Sequence, residues 1–106
     1  TRNFQLAGSC GVPNSAKTVA INVTIVLPDT AGHVRLFPSD LSAPEVSTVN
    51  FVAGQIRANN AVIALSSTGA LSVFDDQPQG KQTHLLIDVN GYFTRDVDYL
   101  YDAFDV

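Results

Sequence analysis

Charge is what this sequence has least of. Charged residues make up 15% of the chain, against about 25% in ordinary globular domains. Ser, Thr, Asn, Gln and Gly must cover much of the surface instead, which is typical of extracellular β proteins and gives little support to helix. Only six residues are Lys or Arg, they are scattered, and the formal net charge is −4. A phosphate-binding face needs clustered cations, so nucleic acid is excluded as a partner. No run approaches the roughly 20 apolar residues of a membrane-crossing helix, and no membrane insertion is expected. Cys10 is the only cysteine, so no internal disulfide can form. It reads as a small buried hydrophobe or as half of an intermolecular bridge.

The residues of catalytic and metal chemistry are equally sparse. His33 and His84 are the only histidines, and neither has a second ligand beside it at zinc spacing. Asp75, Asp76, Asp88 and Asn90 offer hard oxygens suited to calcium, but their spacing matches no EF-hand loop. No metal and no cofactor are expected. There is no G-x-S-x-G elbow, and the one Glu, Glu45, lies in a Pro-containing loop, which argues against a pair of glycosidase acids. No catalytic residue is predicted, and the chain does not read as an enzyme.

What the sequence does have is strand periodicity. Residues 83–93, THLLIDVNGYF, set Leu85, Ile87 and Val89 on one face and Leu86, Asp88 and Asn90 on the other. Residues 18–27 place Val19, Ile21, Val23, Ile25 and Leu27 against Ala20, Asn22, Thr24 and Val26. Both predict long, central strands. Shorter strands are predicted over residues 1–7, 33–38, 46–51, 61–65 and 70–74, with the first and the sixth nearer an edge. Residues 53–60 read as a loop. Turn signals at Gly8, Gly11, Pro13, Pro28, Gly32, Pro38, Gly69 and Gly80 separate them. Seven short strands with turns every eight to twelve residues, in a chain of 106, predict one all-β domain, an antiparallel β-sandwich in preference to a small closed barrel. Six short polar residues, Asn22, Asn50, Asn59, Asn60, Asp88 and Asn90, stand in or beside apolar strands. They read as ties to the backbone of crossing loops, with a sugar-binding patch as the functional alternative.

Read together, Cys10-Gly-Val-Pro, Ala20-Ile-Asn-Val-Thr24, Gly32-His-Val-Arg-Leu-Phe-Pro38, Ser47-Thr-Val-Asn-Phe51, Ala53-Gly-Gln-Ile-Arg-Ala-Asn-Asn60 and Asp88-Val-Asn-Gly-Tyr-Phe93 resemble a repeat module of secreted and cell-surface bacterial proteins. The resemblance runs from about residue 2 to 93 and implies secretion, a β-rich fold and a structural or adhesive setting, with no catalytic residues. In that module a second cysteine often stands near the place held here by Phe74-Asp-Asp-Gln77, pairing with the one at Cys10. Asp75 and Asp76 occupy the place instead, so a link worth roughly 2–4 kcal/mol would be missing.

The chain therefore divides into a domain over residues 1–93 and an extension over 94–106. The extension, TRDVDYLYDAFDV, alternates Val97, Tyr99, Tyr101 and Ala103 with Asp98, Leu100, Asp102 and Phe104. Left exposed, so much aromatic surface is a liability. The pattern predicts packing on its own domain or, as an added strand, on a neighbouring copy, with Val97, Tyr99, Leu100, Tyr101 and Phe104 at the interface. The chain opens on Thr1 with neither a Met nor a basic-then-apolar leader, which predicts a mature secreted form. The functional expectation is a secreted bacterial structural subunit that self-assembles into an extracellular filament or surface layer. The alternative is a carbohydrate-binding or adhesive module on a cell-surface glycan. The lack of Trp weakens it, since sugars stack on exposed aromatic rings.

Overall fold

The computed structural model describes residues 1–9, 11–45 and 47–94. Within them are seven strands: β1 (Arg2–Gln5), β2 (Thr18–Val26), β3 (Gly32–Pro38), β4 (Val49–Phe51), β5 (Ile56–Ala64), β6 (Ala70–Asp76) and β7 (His84–Phe93). They form two antiparallel sheets, one in the order β1-β6-β3-β4 and the other β5-β2-β7. The fold is the all-β sandwich that the period-two pattern predicts.

The core lies between the sheets. Val19, Ile21, Val23 and Ile25 of β2 are at most 1% exposed, and they meet Val34, Leu36, Val49, Phe51, Leu71 and Val73 from the other sheet. Alternation makes this possible, since every second residue of a strand projects to the same face. Branched side chains fill the interior, which suits a pleated surface. At one end of the sandwich, Leu6 and Ala7 both donate backbone hydrogen bonds to the Gly69 carbonyl, at 3.1 and 3.0 Å. Gly69 has φ +87°, and a Cβ there would collide with that of Ala7. Only glycine fits this crossing.

Several strand positions differ from expectation. β2 is central, but β7 is an edge strand, paired among the described residues only with β2. β6, expected nearer an edge, sits between β1 and β3. Residues 56–60, expected as loop, are the first half of β5. Their side chains are exposed on both faces, so no alternation marks them in the sequence. Leu27 does not continue the inward row of β2: its φ of 49° turns the chain away and leaves it 57% exposed.

The loop flanking position 10 closes at the Gly69 end of β6, where Val12 N–H donates to Ser9 C=O and Gly8 N–H to Val12 C=O. Residues 74–76 stand at the other end of that seven-residue strand, about 13–20 Å from Ala70 at 3.3 Å per residue.

Candidate functional site

Four strands form the sheet edges, and their lengths and side chains differ. β1 has four residues and carries Arg2; β4 has three. β5 has nine, with Arg57 exposed, and Asn59 Nδ2 donates to the Thr48 carbonyl at 3.0 Å, tying it across to the other sheet. β7 has ten residues and no Lys, Arg or Pro. Sheet edges are commonly kept from pairing with other chains by shortness, lysine, proline or a bulge. β7 has the bulge, a register shift at Ala20/Ile21 that leaves Asn90 as the extra residue, and one charged side chain, Asp88. From His84 to Val89 the edge is regular.

The inward face of β7 explains why the strand reads as central and is not. Leu85, Ile87 and Val89 pack on the core but are only partly buried. The facing edge, β1, is too short to cover a ten-residue strand. Between β1 and β7 the sandwich gapes in a cleft of about 610 Å³. Its apolar lining comes from Phe4, Val34, Val73 and Leu85, and Arg2 and His84 also line it. The Arg2 guanidinium lies over the Phe4 ring, 5.4 Å from its centroid.

One carboxylate faces this cleft. Asp75 pairs with Val34 in the β3–β6 register, so it shares the inward face with a core valine. Its Oδ1 is buried and has no hydrogen-bond partner among the described residues. Burial, and then the neighbouring Asp76 carboxylate, raise its pKa above the usual aspartate value. Asp76 turns to the opposite face, where its Oδ2 lies 3.2 Å from His33 Nε2 and 3.9 Å from the Arg35 guanidinium.

The outer face of the three-stranded sheet is uncovered among the described residues. Asn60, Asn22 and Asp88 stand side by side across β5, β2 and β7. Ile56, Val62 and Leu86 project from the same face and are more than half exposed. The expected role of the short polar residues thus divides. Asn59 binds a backbone carbonyl as anticipated, and Asn50 accepts from the Ser47 hydroxyl at 2.9 Å. Asn22 reaches only Thr24 Oγ1, at 3.4 Å, and joins Asn60 and Asp88 in a surface row.

Of the calcium candidates, Asp75 and Asp76 lie on β6, whereas Asp88 and Asn90 lie on β7 of the other sheet; the fold does not gather them. The residues expected at an interface, Val97, Tyr99, Leu100, Tyr101 and Phe104, lie outside the described residues. At the far end of the sandwich a hollow of about 520 Å³ has Lys17 as its one charged lining residue. Sequence reasoning missed the cleft, because Asp75 reads as a turn residue until the register places it opposite Val34. No protein-family model, curated protein or solved structure matches the chain.

Proposed function

We propose that this chain is a secreted bacterial structural subunit that self-assembles into an extracellular filament or surface layer, joining copies by strand pairing along β7. The observation that carries this reading is the edge itself: ten residues without Lys, Arg or Pro, regular from His84 to Val89. Unpaired N–H and C=O groups along such an edge form a template for another strand. The low charge and the module-like motifs support secretion. Among the described residues Asp75 and Asp76 lie on one sheet and Asp88 on the other, and the one histidine–carboxylate contact is His33 with Asp76.

Leu86→Lys tests the reading. Leu86 is 57% exposed, so folding stability should change by no more than about 0.5 kcal/mol, while a charge on the edge should block pairing. Light scattering and electron microscopy over a concentration series should show assembly by the parent and not by the variant. Equal assembly of the two would sink the reading.

A second reading, binding to a cell-surface glycan, is favoured by the Asn60–Asn22–Asp88 row, whose amides and carboxylate lie open in register. Calorimetric titration of polysaccharide fragments against the parent and Asn22→Ala separates it from assembly, since Asn22 is not on the β7 edge.

A further inference from the structure

The geometry points to the cleft between β1 and β7 as an acceptor for residues 97–104 of a second copy of this chain. This deepens the strand-pairing reading and rests on it, naming both the donor segment and the surface that receives it. Three observations support that occupant. The first is apolar match. Val97, Tyr99, Tyr101 and Ala103 alternate along the segment, so a strand built from them presents one continuous apolar face. The cleft offers Phe4, Val34, Val73 and Leu85 to meet it.

The second is polar match. Asp75 Oδ1 is buried against the cleft with no donor among the described residues, and such a group needs a partner. Two of the four residues on the apolar face of the segment are tyrosines, whose hydroxyls donate. Arg2 also lines the cleft, and a tyrosine hydroxyl can accept from its guanidinium.

The third is connectivity, which selects a second copy over the chain's own extension. To fold back along β7, the chain must reverse immediately after Phe93. Two-residue hairpins call for Asn-Gly, Asp-Gly or another glycine pair. Thr94-Arg95-Asp96 holds one turn-forming residue, Asp96, and no glycine pair. The extension also leaves at the Phe93 end of β7, whereas the cleft is lined by Thr83, His84, Leu85 and Leu86, ten residues earlier and about 30 Å away. Donor and acceptor at opposite ends of a subunit make a head-to-tail contact, and such contacts grow into filaments unless the rotation closes a ring.

Disulfide trapping tests this on the full-length chain. In a Cys10→Ser background, Thr83→Cys places a thiol at the cleft and Ala103→Cys one on the apolar face of the donor segment. Mixing the two single-cysteine chains and oxidising them should give an intermolecular 83–103 link, identified by peptide mass. Either Tyr99→Phe or Tyr101→Phe should weaken assembly about ten- to a hundred-fold, the scale of one hydrogen bond to a charged group. Far-UV circular dichroism confirms that each variant remains folded. If the chain carrying both cysteines forms only an internal link at high dilution, the extension folds back and exchange is overturned. If copies assemble with no link and neither tyrosine matters, the cleft is not the acceptor, while pairing along β7 stands. If the parent stays monomeric at every concentration, the strand-pairing reading itself fails.

Discussion

Two residues show how single positions carry strain in this fold. Leu27 adopts φ 49° while 57% exposed, a conformation in which Cβ crowds the backbone at a cost of about 1–2 kcal/mol. Asparagine tolerates that region far better. Leu27→Asn should therefore raise stability by about 0.5–1 kcal/mol, read as a shifted midpoint in urea; a lowered midpoint would show that the leucine makes contacts worth more than the strain. Asp75 carries the other load. Its pKa is raised above the ordinary 3.8, mainly by burial and then by Asp76, so the folded chain holds that proton more tightly than the unfolded one. The resulting stability is complete below the ordinary value and is lost as pH rises through the raised one. Asp75→Asn cannot ionise, so it should melt above the parent at pH 7. The gap should narrow as pH falls and vanish below about pH 4. Melting curves of dilute protein measure it, and a gap that widens in acid contradicts the assignment.

At the scale of elements, β2 and β7 have the same alternation and very different burial. β2 is flanked on both sides, by β5 and β7, and Ile21 is 1% exposed. Ile21→Ala should cost about 2–5 kcal/mol, transfer and cavity together. Leu85, partly buried on the inward face of β7, should cost only about 1–2 kcal/mol on truncation to Ala. Paired denaturation curves would check the order, and equal losses would mean that β7 is covered as fully as β2. The alternation of both strands was legible in the sequence. Their rank was not, because an apolar row says which face turns inward and nothing about how many neighbours flank the strand. The start of β5 was illegible for a different reason: Ile56-Arg-Ala-Asn-Asn60 is exposed on both sides, so no burial pattern was imposed on its residues.

For the molecule as a whole, the two sheets match poorly along one side. β1 spans four residues where the strand opposite it spans ten, and the mismatch opens the cleft beside β7. A head-to-tail contact through that cleft would add subunits without limit, so scattering mass should climb past the dimer as concentration rises. An isologous contact would stop at two. Which strand ends each sheet was not in the composition, because strand order depends on the packing of the whole.

The sequence by itself determined that this is a β-sandwich and which face of its two longest strands turns inward. Period-two alternation over Val19 to Ile25 and over Leu85 to Val89 has few other outcomes once apolar faces must leave water. Only the tertiary structure decided that β7 is an edge, that Asp75 shares a face with Val34, and that Phe4 and Leu85 look at each other across a gap. Those facts follow from hydrogen bonds between strands far apart in the chain. Every strand presents the same backbone donors and acceptors, so the choice of neighbour is made by the packing of the whole and leaves little mark on local sequence.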